Sequence, residues 1–486
     1  MKYIFRIIIL LSVVLVMSAC EEAAITFEDV LSTANQRRAN IARPSEDRLL
    51  ELIQIQEPLN EPVDLSRFTE RGDSLVWITS DEAIYDVQTF FALLRDVYGA
   101  YTYFGGDAVF VPVMNDIIEE LSEREQWAMP LFTQILLENL SQVIEDNHFW
   151  LYNQPLGIEY HFYIWEEPFD KTNNGFRHRE SGRYVIEVVG FDKYDVFRLT
   201  MDEEGDFFYM PIVAQNSLGE SVSLFTFHII FDDGEEERLL LNQNWQRLNY
   251  EESSLRFEGD IPIVTIRAMG FPDVFDEEKD ILDNQSARNF LLFAEQLQDE
   301  PVVIIDIRSN FGGNGFLAPM WLHRLTGEIV PRNFFGLTRI DSYIAPQEWY
   351  DLWYIPDEDL QTYLTYEALG DYHTLSYTNP YRVVPNEQLL ILLVDSYTAS
   401  AGDDFADLVL SLENTLIIGQ NTAGMLLTNS FAINMYLPYS GVPFTFGPTL
   451  FVHSEGHLPE GLGIAPDIWV MGDALTAALA MLERGF

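Results

Sequence analysis

Residues 391–412 read ILLVDSYTASAGDDFADLVLSL. An apolar, strand-like run leads into a bend at Ser400. A helical pattern follows at once, with Phe405, Leu408, Val409 and Leu412 on one face. Ser400-Ala-Gly-Asp403 has the form of a capping box, so on local pattern alone Ser400 is a helix cap. The same bend permits chemistry. A serine between a buried strand and a helix start lies where unpaired N–H groups and the helix dipole point outward, and the N–H of Ala401 is the natural donor to an oxyanion. The sequence around Ser400, TASAG, lacks the first glycine of the G-x-S-x-G elbow, which disfavours the α/β-hydrolase fold.

Working outward, IPIVTIRAM (261–269), VVIIDI (302–307), LLILLV (389–394) and TLIIG (415–419) are further continuous apolar strands, and 283–298 has helical spacing. Such strands alternating with helices predict an α/β layer covered on both faces, over residues 259–486. Residues 155–258 are strand-rich, with Asp233-Gly234 marking a hairpin turn, and predict a β-rich middle domain. Residues 81–154 carry helical periodicity and predict a helical domain ending at EDNHFWL. Between Cys20 and about residue 80 the chain is polar and acidic, with Pro44, Pro58 and Pro62. It reads as a tether with one short helix near 46–55.

The first residues, MKYIFRIIILLSVVLVMSAC, have the layout of a secretory signal: Lys2 and Arg6, an apolar run from Ile7 to Met17, then small residues to Cys20. The run is shorter than the ~20 residues a membrane-spanning helix needs. MSAC resembles the lipobox of bacterial lipoproteins, which implies cleavage before Cys20, lipidation of its thiol and an exported protein held at the outer face of a membrane. Cys20 is the sole cysteine, so no disulfide and no cysteine-based zinc site can form. The 28 basic and 77 acidic residues give a net charge of −49. A surface so negative repels phosphate backbones and excludes nucleic acid as a partner.

Three more segments could carry chemistry. VVIIDIRSNFGGNG (302–315) is a strand breaking into a glycine turn, where Gly312 and Gly313 allow close backbone approach and can aim an N–H into a cleft. It lacks the Gly-Lys-Ser/Thr of a phosphate loop. PEGLGIAPDI (459–468) places Glu460 in a polar turn, and EDNHFWL (145–151) places His148 at the end of the helical segment. His453 and His457 stand four apart, but without a helical pattern or an acidic ligand set they are not read as a metal site.

DIRSNFGG, TASAGDDF and EGLGIAPDI, in that order, resemble the carboxyl-terminal processing (tail-specific) serine protease family. The resemblance implies a ClpP/crotonase-like α/β core, protein or peptide substrates and no cofactor. One branch of that family draws its base from a lysine after the next strand. Here Met425 stands at that place in NTAGM, and a thioether cannot accept the serine proton. The tricorn-like branch takes a histidine from the helical domain and a glutamate before Gly-x-x-Pro-Asp. The resemblance then implies Ser400 as nucleophile, His148 as base, Glu460 with Asn147 fixing the imidazole, and the N–H groups of Ala401 and Gly312 as the oxyanion hole. Asn147, Phe149 and Asp403 depart from the residues usual at their positions. No carboxylate-binding Gly-Leu-x-x-Gly-Asp segment is evident in 155–258, which is either a degenerate PDZ domain or an unrelated β module. Two rival readings stand beside an endopeptidase: a silent relative serving as a binding or scaffold lipoprotein, and an acyl hydrolase of esters.

Overall fold

The computed structural model describes residues 25–41, 52, 66–69, 75–216, 225–234, 236–241, 247–249, 251, 253–269, 285–339, 364–369, 372–377, 383–429, 435–453 and 460–485. The signal segment with Cys20, His457 and most of the helix expected near 46–55 lie outside them.

The segment read as a tether contains a docked helix, α1 (Phe27–Ala39). Thr26 and Asp29 form its capping box, and Val30 and Ala34 are buried against the core sheet. Near its C-terminus Arg38 is buried and pairs with Asp467 at 2.8 Å. The apolar positions at 27, 30, 31 and 34 do have helical spacing, diluted by polar neighbours.

Helices α2 (Ser80–Val97), α3 (Asp107–Leu121) and α4 (Met129–Leu140) follow. Thr79 and Glu82 cap α2 reciprocally. The segment ends on a strand, β1 (Asp146–Leu151), so His148 sits within an extended element rather than at a helix end. β1 is antiparallel to Pro443–Thr445, pairing Leu151 with Phe444. One apolar cluster joins Phe90, Tyr98 and Phe149 to Phe444 and Phe446 from the far end of the chain. That aromatic packing carries the N-terminal helices onto the core.

Among the described residues the central sheet has 11 strands. β2 (Phe197–Met201) lies in the middle region, while β3 (Ser254–Glu258), β4 (Ile261–Thr265), β5 (Val302–Asp306), β6 (Leu389–Val394), β7 (Thr415–Gly419) and β8 (Ile468–Val470) belong to the C-terminal half. Spatial order runs β3, β4, β5, β6, β7, β8, β2, and then strands from 169–216. From β4 to β2 every neighbouring pair is parallel. Buried residues throughout β5, β6 and β7 match the apolar runs in the sequence. Helices α5 (Gln285–Gln296), α6 (Leu317–Thr326) and α7 (Ala401–Val409) cover one face; α1 and α8 (Ala474–Gly485) cover the other. Because β2 pairs with β8 through Trp469–Thr200 and Val470–Met201, the sheet continues unbroken into the strand-rich middle region.

Candidate active site

Ser400 ends the turn between β6 and α7, at the carboxyl edge of the parallel strands, where α/β sheets present loops to ligands. Its φ of 55° and ψ of −113° are unfavourable for a side-chain-bearing residue, a strain of about 1–3 kcal/mol that neighbours must hold. They do so at several points. Asp403 Oδ2 accepts the Ser400 N–H at 2.7 Å, the reciprocal half of the expected capping box. Ala399 N–H donates to the Asn310 carbonyl at 2.8 Å. Gly312, at φ 91°, presses against the bend so closely that a Cβ there would lie 2.7 Å from Ala399 O, Ala401 N and Ser400 Cβ.

β1 brings His148 to this bend from 252 residues away, with Nε2 at 2.9 Å from Ser400 Oγ. The imidazole is 4% exposed. Burial pushes its pKa down from 6.5 to about 4, because the charged ring would lose its hydration; the Thr428 backbone offsets this in part. A neutral ring protonated on Nδ1 can accept the serine proton at Nε2. Nδ1 itself is buried without a hydrogen bond of ordinary geometry. Phe149 stacks with Phe446 at 5.5 Å and meets Tyr98 edge-on at 5.2 Å, which seats β1 in the aromatic cluster.

Glu460 and Asn147 lie beside the histidine without bonding its ring. Glu460 Oε1 accepts the Asn147 N–H at 3.0 Å, and Oε2 accepts those of Leu426 and Leu427 at 2.9 and 2.8 Å. Asn147 Nδ2 donates to the Ile158 carbonyl at 3.1 Å, and its Oδ1 points to Gly157, which has no side chain to obstruct it. The expectation that these two side chains fix the imidazole directly is therefore replaced by main-chain contacts. Burial drives the Glu460 carboxyl well above its ordinary range, helped by the charge of Asp146.

Gly312 also departs from expectation. Its N–H donates to Asn310 Oδ1 at 2.8 Å, an Asx turn that shapes the glycine bend and engages the donor assigned to the oxyanion hole. The Ala401 N–H, at the start of α7, makes no hydrogen bond with the described residues. Met425, at the lysine position, contributes its N–H to Asp403 Oδ2 at 3.0 Å.

Asp146 has no part in the sequence reading, yet it is wholly buried under His148. Its Oδ1 accepts the His148 N–H at 2.9 Å, and Oδ2 accepts the hydroxyls of Tyr98 and Thr428, each at 2.8 Å. Burial raises its pKa to about 6, and that of Asp403 to about 6 as well. The bond to the N–H two residues on is an Asx turn, the one local signal in EDNH that could have singled out Asp146. His453 Nε2 lies 3.0 Å from the Leu426 carbonyl in the core. No group of side chains able to hold a metal occurs among the described residues. Beneath the glycine turn, Asp306 bridges Arg267 and Arg308, both at 2.7 Å.

In overall shape the chain is similar to mature CPAF (15% identity, 84% of this chain and 99% of that one, TM-score 0.43). It is also similar to the photosystem II D1 C-terminal processing protease (12%, 83% and 97%, 0.37) and to tricorn protease (13%, 83% and 37%, 0.33). Likeness at these levels carries no functional weight. Residues 262–470, which span β4 to β8 and include Ser400 and Glu460, match peptidase family S41. These residues are a peptidase family S41 domain, by class that of a serine-type peptidase.

Proposed function

We propose that the protein is an exported, lipid-anchored endopeptidase that cleaves proteins or peptides with Ser400 as nucleophile and His148 as general base. The observation that carries this reading is the 2.9 Å approach of His148 Nε2 to Ser400 Oγ across 252 residues of sequence. In the first step the Ser400 oxygen bonds to the substrate carbonyl carbon as its proton passes to Nε2. The carbonyl oxygen becomes an oxyanion at the start of α7, where the Ala401 N–H and helix dipole stabilise it, a donor of this kind being worth about 3 kcal/mol. The imidazolium returns the proton to the leaving amine, and water then hydrolyses the acyl-enzyme. Ester turnover is compatible with the same steps, so substrate class rests on family membership.

Lipidation of Cys20 would place the enzyme at the outer face of a bacterial membrane, and the sequence MSAC supports it. Fluorophosphonate labelling of the purified protein tests the catalytic reading. Labelling is expected in the native chain and absent from Ser400→Ala. A native chain that never labels, or an alanine variant that still does, favours the scaffold alternative. Comparison of peptide and ester turnover decides between the two hydrolase readings, and palmitate incorporation lost in Cys20→Ser tests the anchor.

A further inference from the structure

Residues 424–428 lie between the nucleophile and the base, and every consecutive position offers a donor to a buried carboxylate. Gly424 and Met425 give their N–H groups to Asp403, at 3.0 Å each. Leu426 and Leu427 give theirs to Glu460, at 2.9 and 2.8 Å. Thr428 gives its hydroxyl to Asp146 at 2.8 Å. Each of these carboxylates also holds an N–H at or beside a reacting residue, Asp403 and Asp146 from the same element and Glu460 from a distant turn. Asp403 holds the N–H of Ser400 (2.7 Å), Glu460 that of Asn147 (3.0 Å), and Asp146 that of His148 (2.9 Å).

We propose that 424–428 is a rail and that Asp403, Glu460 and Asp146 are positioning residues whose three rungs set the Ser400–His148 separation. The proposal rests on the peptidase reading and deepens it. Ser400 and His148 arrive on elements far apart in sequence, α7 and β1, and their direct link is the single 2.9 Å contact to be broken and remade in each turnover. Something outside the reacting pair must therefore keep them in register, since a misplacement of about 1 Å costs on the order of 100-fold in rate. None of the three carboxylates has a Lys or Arg partner among the described residues. Buried carboxyl groups of that kind are retained only where several hydrogen bonds compensate them, and here those bonds come from N–H groups of the rail and of Ser400, Asn147 and His148, and for Asp146 also from the hydroxyls of Thr428 and Tyr98. The stretch that would present a lysine base in the other branch thus serves, through its backbone, to place a histidine base.

The near-isosteric variants Asp403→Asn, Glu460→Gln and Asp146→Asn test the rail in the full exported chain. Each amide keeps one acceptor and loses part of its rung. The expected result is a kcat lowered about 10- to 100-fold with KM within about twofold. The acid limb of kcat/KM should stay in place in Glu460→Gln, and the combined Asp146→Asn/Glu460→Gln loss should fall short of the product of the single losses, since both rungs hold β1. Amide hydrogen exchange read by mass spectrometry should quicken in peptides covering 146–148 and 424–428, a measurement that needs no turnover. A moved acid limb in Glu460→Gln would show that this carboxylate acts on the imidazole itself, and would overturn its place in the rail. Unchanged kcat together with unchanged exchange would overturn the rail as a whole. If the native chain proves inactive while exchange quickens as expected, the peptidase reading fails and the rail survives as architecture.

Discussion

Replacing Gly312 by alanine should damage both stability and catalysis, and the structure gives the scale. At φ 91° an alanine incurs about 1–2 kcal/mol of backbone strain. Its Cβ would also meet Ala399 O, Ala401 N and Ser400 Cβ at 2.7 Å. Two of those atoms are main chain and the third is the root of the Ser400 side chain, so no flexible group can move aside. Overpacking of this kind adds about 1–3 kcal/mol, for a total of roughly 2–5 kcal/mol. Gly327 supplies the control: it has φ 71° and nothing within 4 Å of the place a methyl group would take, so Gly327→Ala should show the strain alone, about 1 kcal/mol. Urea unfolding at constant slope measures both. Because relief of the clash must push the Ser400 bend away from the glycine turn, fluorophosphonate labelling should slow by on the order of 100-fold in Gly312→Ala and stay near native in Gly327→Ala. Equal stability of the two variants, with full labelling of both, would refute the close apposition of the glycine turn and the nucleophile.

Three further outcomes follow from the buried charges. With the His148 pKa lowered to about 4, the proposed base is still about 97% neutral at pH 5.5, whereas at its ordinary 6.5 only about one-tenth would be. The acid limb of kcat/KM should therefore lie below 6.5, and a midpoint at or above that value would contradict the burial account; a limb near 6 that vanishes in Asp403→Asn would trace it to that carboxylate. Asp403 itself binds its proton more tightly when folded, its pKa rising from 3.8 to about 6, so its contribution to stability is full below 3.8 and declines as pH rises through about 6, by roughly 3 kcal/mol. Denaturant unfolding at pH 4 and pH 7 should show that decline in the native chain and not in Asp403→Asn. For Asp306, held well below the ordinary carboxylate range by Arg308 and Arg267 against the cost of burial, the Asp306→Asn variant should lose about 3–5 kcal/mol at neutral pH, as two guanidinium groups lose their shared anion. A loss under about 1 kcal/mol would show that the buried pairs are not structural.

The sheet is legible in the sequence because β5, β6 and β7 are buried on both faces and so are written as unbroken apolar runs, bounded by glycine or polar turns. Helix α1 escapes such a reading for the opposite reason. Only a narrow stripe of Phe27, Val30, Leu31 and Ala34 faces the core, in a segment otherwise rich in charge, and its main anchor, Arg38 to Asp467, joins positions 429 apart. Long-range polar pairing leaves no periodic trace in a sequence.

The site divides along the same line. Ser400 can be found from the strand, bend and helix around it, and His148 only through family resemblance, since nothing local in EDNH distinguishes a base from a satisfied histidine. Glu460 and Asn147 differ from their expected roles because the pattern names side chains, whereas the structure employs backbone. An amide N–H is present at nearly every residue, so a carboxylate that gathers three of them, as Glu460 does from Asn147, Leu426 and Leu427, has partners the sequence cannot mark. Asp146 is hidden on the same account: its partners come from α2's end, from β1 and from the segment after the nucleophile, which meet only when the aromatic cluster around Phe149 has closed. The proposed base thus makes a demand on folding: His148 lies on β1, which depends on docking of the N-terminal helices, so its 2.9 Å approach to Ser400 is bound to the integrity of that interface.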